Sequence, residues 1–422
     1  MTLKEYKKIG ESLYSGKLPN GLTVFVIPKQ GFYKSYAFFA ADYGGADKRY
    51  RLNSDWIDTP DGVAHFLEHK MFDSEDGDVL TKFSVNGASP NAYTSPDVTA
   101  YHFDCTEKFT ENLEILLSFV STPYFTPESV DKEQGIIAQE ISMYDDDPDH
   151  CLYYGLMRSL FDHNPLRDSV AGTIGSIANI TAETLYSCHS AFYRPSNMAL
   201  CVVGDVAPSV VMDIAERVLP EEPGDVPERD YGAPETLLPA TSGFSGEMEV
   251  NLPVFLAGCK MNPAPRGSDS LRLDLVSALA LEVLMGHSSP LFFRLYGSGL
   301  VCNDFSATFD SAAGAAYTIF GGETRDPQRV FGEVCKEIRA LSANGPDIRL
   351  YDRIKKAAIG SHIRMLNSFD AICGNITGGF FRGFDAFEAP EILASITIDE
   401  IAAFYRENLN PENMTISIIN PK

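Results

Sequence analysis

Residues 61–72 read DGVAHFLEHKMF, and this stretch predicts a partly buried helix, with start signals in the preceding residues 59–61 (TPD). Each residue of an α-helix advances by about 100°, so His65 and His69 lie on one side and Glu68 lies about 60° from His65. Two imidazoles four positions apart can bind one zinc ion, and a neighbouring carboxylate can take a proton from water at the metal. The stretch indicates a metallohydrolase, with ordinary polar packing on a half-buried helix as the alternative.

A second predicted helix, over residues 126–144, carries a pair of acidic side chains. Glu133 and Glu140 are seven residues apart, and seven steps of 100° return to within about 20° of the starting direction. Both carboxylates therefore lie on one face of the helix. Paired glutamates on a helix usually form a solvent-exposed stripe, so this spacing alone favours a surface role.

Length, charge and cysteine usage bound the class of protein. A chain of 422 residues exceeds what one hydrophobic core usually organises, which favours two domains. The 34 basic and 58 acidic side chains give a net charge of −24, so we expect no nucleic-acid partner. No apolar run is long enough for a membrane span, the N-terminus lacks the apolar core of a signal peptide, and the eight cysteines include no C-x-x-C pair. We therefore expect a cytoplasmic protein with reduced thiols and no membrane partner.

Residues 219–246 separate the chain into two parts. This segment is rich in proline, glycine and acidic residues and has no hydrophobic periodicity, which is typical of a linker. The sequence therefore predicts one domain over residues 1–218 and another over residues 247–422.

The two parts have the same internal order. Each ends in a predicted helix, a P-x-N-M motif and a strand, with the motifs at residues 195–198 and 411–414. Such a repeat indicates duplicated halves. The helical run over residues 271–285 occupies the place of the histidine-bearing helix but holds no histidine, so only the first half can carry the metal.

Several stretches together resemble the insulinase (pitrilysin) family of zinc peptidases, in particular its bacterial processing-peptidase-like members. They are LPNGLTVFVIP, GVAHFLEHKMF with its H-x-x-E-H motif, NAYTS, KEQGIIAQE, AGTIGSIANIT and FYRPSNM…VVGD. They cover almost all of the first half, whereas the second half resembles the family through its repeated organisation. The resemblance implies an α+β fold of two related halves. Each half would be a mainly antiparallel sheet packed with helices, and the two would face each other as a clam shell around a chamber.

The resemblance also implies residue roles for a Zn2+-dependent metalloendopeptidase acting on peptides or unfolded protein segments. In the family, the third zinc ligand is the second of two glutamates seven apart on a later helix. Here that residue is Glu140, and Glu133 would support the site. His65 and His69 would be the other ligands, and Glu68 would be the general base.

The resemblance extends to substrate contacts. Asn91, Ala92 and Tyr93 match the family segment that lies along the bound peptide, where an exposed strand adds a substrate strand; an ordinary turn and edge strand is the alternative. Family members also have an Arg and then a Tyr after the helix of the second half. Tyr296 and Cys302 stand at these positions here, so Tyr296 is the candidate for a substrate contact from this half.

Two functions remain open from the sequence. One is the zinc metalloendopeptidase, which the intact H-x-x-E-H motif favours. The other is a non-catalytic or weakly active subunit that binds peptides within a heteromeric processing-peptidase-like complex, which the departure at residues 296 and 302 favours. We expect a peptide substrate in the first case, and either a paralogous partner subunit or a homodimer in both.

Overall fold

A computed structural model of the chain describes residues 1–52, 55–75 and 77–422. The strands are β1 (Thr2–Tyr6), β2 (Glu11–Lys17), β3 (Thr23–Pro28), β4 (Ser35–Ala41), β5 (Arg49–Leu52), β6 (Asp55–Asp58), β7 (Asp73–Ser74), β8 (Gly77–Asp78), β9 (Ser89–Thr94), β10 (Thr99–Cys105), β11 (Met198–Gly204), β12 (Glu228–Arg229), β13 (Phe244–Met248), β14 (Val254–Met261), β15 (Ser306–Ala312), β16 (Ala315–Glu323) and β17 (Met414–Pro421).

The helices lie between these strands in a mixed order. They are α1 (Val63–Lys70), α2 (Val79–Val85), α3 (Phe109–Ser121), α4 (Pro127–Asp145), α5 (Pro148–Leu160), α6 (Ile174–Ile177), α7 (Ala182–Phe192), α8 (Pro208–Val218), α9 (Ser268–Met285), α10 (Pro290–Gly297), α11 (Pro327–Asn344), α12 (Ile348–Met365), α13 (Phe369–Arg382), α14 (Ala389–Ser395) and α15 (Ile398–Glu407). Among the described helices, none is alone long and apolar enough to cross a membrane; α9 and α10 reach that length and composition only as a bent pair.

The chain forms two compact units, each built from three separate segments. Unit 1 contains Met1–Ile141, Ser169–Tyr231 and Met365–Phe381, and unit 2 contains Ser142–Asp168, Gly232–Arg364 and Arg382–Lys422. These units differ from the contiguous ranges 1–218 and 247–422 by two exchanged segments. Helix α5 packs on β14 and β17 of unit 2, and α13 packs on the sheet of unit 1, where the ring of Phe380 lies 5.5 Å from that of Phe25. The burial of an apolar helix face, and not the order of the chain, decides these memberships.

The sheet of unit 1 has seven strands in the order β1-β2-β3-β11-β4-β10-β9. All its neighbouring strands are antiparallel except β3 and β11. The central strands β4 and β11 are buried along their whole length, as their near-continuous apolar sequences require. Strand β9 lies at the edge of this sheet, so only one of its sides is paired within it.

The sheet of unit 2 has the order β13-β17-β14-β16-β15, with one parallel pair, β13 and β17. This order repeats that of β3-β11-β4-β10-β9 in unit 1, including the place of the parallel pair. Each P-x-N-M motif forms a short 3-10 turn, Pro195–Asn197 or Pro411–Asn413, that leads into the matching strand β11 or β17. The predicted α+β fold with two related, mainly antiparallel halves is therefore confirmed.

Helix α1 begins later than the start signals at residues 59–61 predict. Its first residue is Val63, and Gly62 precedes it with a φ of 91°. A Cβ on Gly62 would lie 2.5 Å from the carbonyl oxygen of Ala171, so the close approach of that loop requires glycine. Asp61 does not cap the helix with its side chain and instead pairs with Lys48, with Oδ1 and Nζ 2.8 Å apart.

The predicted linker is held in place by polar contacts within each unit. In unit 1, Arg229 Nε lies 3.1 Å from Oδ1 of the buried Asp47. In unit 2, the Glu235 carboxylate accepts hydrogen bonds from the backbone N–H groups of residues 162–164 and from Lys260 Nζ at 2.7 Å. A proline-rich, acidic composition is therefore compatible with a segment that is anchored to the units as well as with a flexible linker. The two cannot be told apart from the sequence, because isolated side-chain contacts produce no hydrophobic periodicity.

Candidate metal centre

Helix α1 is a short helix fixed by its apolar side. Val63, Phe66 and Leu67 are buried in the core of unit 1, so the opposite side carries the histidines. The ring centroids of His65 and His69 lie 4.6 Å apart. The helical period therefore places the two imidazoles together, as the four-residue spacing predicts.

Helix α4 brings a carboxylate to both rings. Glu140 Oε1 lies 3.7 Å from His65 Nε2, and Glu140 Oε2 lies 3.5 Å from His69 Nε2. One donor atom from each of the three residues lies within 4.8 Å of the other two. Two imidazoles and one carboxylate are the protein ligands of the His2Glu class of catalytic zinc sites, which keeps a fourth position open. The donor chemistry of these residues therefore fits a zinc ion.

The charge state of His65 and the carboxylates around His69 both suit a cation site. Burial lowers the pKa of His65 to about 4, so this ring is neutral at neutral pH, as a metal ligand must be. Burial opposes protonation of His69 as well, but Glu133 and the nearby Glu140 and Glu68 outweigh it and raise the pKa of His69. Carboxylates that attract a proton to this position also attract a metal ion.

The other glutamate of α4, Glu133, contacts the nitrogen of His69 that faces away from Glu140. Glu133 Oε1 lies 3.2 Å from His69 Nδ1, and an N–H donated there leaves the lone pair of Nε2 free for a metal. Glu133 Oε2 lies 3.7 Å from Nζ of Lys70, which is fully buried and also pairs with Asp73. Burial raises the pKa of Glu133, but His69 and Lys70 outweigh it and lower that pKa overall. Sequence reasoning missed Lys70, although it directly follows the motif.

Glu68 lies beside the three donors and is buried, with 8% of its surface exposed. Thr94 Oγ1 donates a hydrogen bond of 2.6 Å to Glu68 Oε2. Burial raises the pKa of Glu68, and the Thr94 hydrogen bond opposes part of that rise. Sequence reasoning also missed Thr94, and the only available signal was its place at the end of the NAYT stretch, three residues after Asn91.

The predicted substrate contacts lie on two different elements. Asn91, Ala92 and Tyr93 belong to the edge strand β9, where the side chain of Ala92 is half-buried while Asn91 and Tyr93 are exposed. Tyr296 lies on α10 of unit 2, is 50% exposed, and stacks on Phe292 with ring centroids 5.6 Å apart. The edge position of β9 leaves one of its sides without a partner strand in this sheet, and one of its N–H groups, that of Ala92, donates to Asn91 Oδ1 at 2.9 Å.

Comparisons with known proteins give concordant similarities. The sequence model of the insulinase family (peptidase family M16) matches residues 57–174, and one described as the peptidase M16 inactive domain matches residues 179–358. The chain is 37% identical, over 99% of both chains, to the uncharacterized zinc protease YmfH of Bacillus subtilis. It is 28% identical to the mitochondrial-processing peptidase subunit beta of Caenorhabditis elegans, over 38% of this chain and 36% of that protein. The crystal structure of a putative M16-like peptidase from Alicyclobacillus acidocaldarius matches with a TM-score of 0.93 and 32% identity, over 98% of this chain and 99% of that one.

Proposed function

The chain belongs to the insulinase family of zinc peptidases, peptidase family M16, and on that premise we propose that it is an active zinc metalloendopeptidase that hydrolyses peptides or unfolded protein segments. The convergence of His65, His69 and Glu140, with the Glu68 carboxylate beside them, is the observation that carries this proposal. A zinc-dependent peptide hydrolase needs both parts, a cation site and a base that can accept a proton from water.

The chain's own residues suit the steps of peptide hydrolysis. His65, His69 and Glu140 would hold the zinc ion, which would supply Lewis acidity for the scissile carbonyl and for water. Glu68 accepts a proton as the water oxygen bonds to the carbonyl carbon, and it returns that proton to the nitrogen that leaves. A general base of this kind typically contributes about 10²- to 10⁴-fold to the rate. Glu133 holds the ring of His69 in the tautomer that leaves Nε2 free.

We also propose how the substrate binds. An extended peptide adds to the free side of β9 by main-chain hydrogen bonds, with Asn91, Ala92 and Tyr93 as its nearest neighbours. Main-chain pairing recognises extended conformation and not one particular sequence. This binding mode therefore fits peptides and unfolded segments better than folded proteins.

A partner subunit is the second element of the proposal. The C. elegans relative is named as one subunit of a processing peptidase, and Tyr296 and Cys302 replace the Arg and Tyr expected in the second half. An arginine offers a charged, forked donor, whereas a neutral phenol donates a single hydrogen bond. Either a second chain supplies the missing contact, or Tyr296 provides it within this chain. A cytoplasmic location belongs to the same proposal.

The decisive experiment is hydrolysis by the purified full chain. The zinc-loaded protein should cleave a quenched-peptide library, should lose activity to a chelator and should regain it with zinc, while Glu68→Gln keeps zinc and loses turnover. Zinc binding without cleavage would favour the weakly active subunit instead. Assays with and without an extract of the source cells, repeated on Tyr296→Phe, then separate the partner from Tyr296. If the isolated chain is fully active and Tyr296→Phe abolishes that activity, the hypothesis of a partner subunit is rejected.

A further inference from the structure

Thr94 makes a contact with the catalytic site that the proposed reaction does not yet use. Its Oγ1 lies 2.6 Å from Glu68 Oε2, which is short for a hydrogen bond from a hydroxyl to a carboxylate and typical of a charged acceptor. Glu68 is buried, and among the described residues Thr94 Oγ1 is the side-chain donor that bonds its carboxylate. The orientation of its carboxylate therefore depends on this contact.

Within the part of the chain that the structure describes, the Thr94 hydroxyl donates its proton to Glu68. A threonine hydroxyl donates one hydrogen bond. The hydroxyl of the neighbouring Thr99 donates to the carbonyl oxygen of Tyr43 at 2.9 Å. The two hydroxyl oxygens of Thr94 and Thr99 are 3.5 Å apart. An ionised carboxylate can only accept, so Thr94 is the donor to Glu68 Oε2.

The backbone that carries Thr94 is fixed on both sides. Thr94 is the last residue of β9 and pairs with Thr99, the first residue of β10. The turn between them is closed by a hydrogen bond of 2.8 Å from the Ser95 N–H to the Val98 carbonyl. Gly44 packs against this turn so closely that a Cβ would lie 2.4 Å from the Ser95 carbonyl oxygen. The Cα and Cβ of Thr94 therefore have fixed positions, which is what a group that orients a catalytic carboxylate needs.

From this geometry we propose that Thr94 is a positioning residue for the general base: its hydroxyl holds Oε2 of Glu68 and leaves Oε1 as the oxygen that accepts the proton from water. The inference rests on the proposed peptidase function. Thr94 touches neither the metal ligands nor the reacting atoms in this role. It acts on the rate through the orientation of Glu68, so it should affect turnover and leave zinc binding and substrate affinity unchanged.

The test compares two substitutions at Thr94 in the zinc-loaded full chain. Thr94→Val keeps the β-branched shape and removes the hydroxyl, and it should lower kcat about tenfold or more, since hydrogen bonds to charged groups are the stronger class. Zinc content and KM should stay within about twofold. Thr94→Ser restores the hydroxyl and should restore kcat to within about threefold. Thr99→Val is the matched control, because it removes a neighbouring hydroxyl that bonds a carbonyl, and its kcat should stay near that of wild type.

A second measurement does not depend on activity. In the metal-free protein, Thr94→Val should lower the Tm more when Glu68 is present than when residue 68 carries the Glu68→Gln substitution. The reason is that a hydrogen bond from the hydroxyl stabilises a buried carboxylate more than a neutral amide. Unchanged kcat in Thr94→Val, failure of Thr94→Ser to restore it, or additive Tm changes would each overturn the positioning role. A wild type without peptidase activity would instead reject the proposed function, and the Tm cycle would still decide whether Thr94 holds Glu68.

Discussion

Replacement of Glu235 by glutamine should destabilise unit 2 although this residue lies in the segment that the sequence predicts as a linker. Glu235 is 13% exposed and pairs with Lys260, which is 3% exposed. Three backbone N–H groups of residues 162–164 also donate to its carboxylate. Glutamine keeps the shape of the side chain and an acceptor oxygen but removes the charge. The substitution also leaves the buried ammonium of Lys260 without its counter-ion.

The magnitude follows from the titration of the carboxyl group. Burial raises the pKa of Glu235, but Lys260 and the three N–H groups outweigh it and hold the pKa at about 2, below the ordinary 4.5. Such a difference corresponds to about 3 kcal/mol of stability when the group is ionised in both states. Because part of the carboxylate reaches solvent, we expect Glu235→Gln to cost about 2 kcal/mol at neutral pH.

The pH dependence has a definite sign. A group whose pKa is depressed in the folded state stabilises the fold above its unfolded pKa, so the advantage of Glu235 is complete above about pH 5. The advantage falls as the pH decreases from there towards about 2, where the group is protonated in both states. The difference between wild type and Glu235→Gln should therefore be large at pH 7 and smaller at pH 4.

The assay is urea unfolding followed by circular dichroism, since the single tryptophan, Trp56, lies in unit 1 and does not report on unit 2. Hydrogen exchange of the amides of residues 162–164 gives a local readout and should accelerate in the variant. Glu221→Gln, at an exposed position of the same segment, is the matched control. Equal stability of wild type and Glu235→Gln at pH 7, with unchanged exchange at residues 162–164, would refute the reasoning.

Three further predictions concern the metal centre. Glu140→Gln should lose most of the one zinc expected per chain, because the only anionic ligand is gone; metal analysis checks this, and an unchanged stoichiometry would remove Glu140 from the site. Glu68→Gln should keep zinc but lose at least about 10²-fold in peptide hydrolysis, and activity within a few-fold of wild type would show that another group is the base. Glu133→Gln should weaken zinc affinity or turnover by about 10- to 100-fold through the freed ring of His69; chelator competition measures the affinity, and an effect as large as that of Glu140→Gln would contradict a supporting role.

Much of the centre follows from residues that are close in sequence. The spacing of His65, Glu68 and His69 fixes their common side, because a helix repeats every 3.6 residues whatever surrounds it. The same period places Glu133 and Glu140 on one face of α4. The repeated P-x-N-M motif likewise indicates the duplicated order of strands that the two sheets show.

Contacts between distant residues were decided by the tertiary structure. The sequence does not show that Thr94 holds Glu68, that Lys70 lies beside Glu133, or that α1 begins only after Gly62. It also does not show that α5 and α13 pack with the other half of the chain.

The physical reason is the range of the forces involved. Backbone geometry and side-chain period act over a few residues and leave a pattern in the sequence. The sequence by itself therefore determined the helix with the two histidines, the helix with the two glutamates, the repeat, and the side of α1 that carries the histidines. Packing of apolar faces and pairing of buried charges act between segments tens to hundreds of residues apart, and one hydroxyl or ammonium in the right place leaves no pattern. Only the folded chain could therefore bring Glu140 to the two histidines and Thr94 to Glu68.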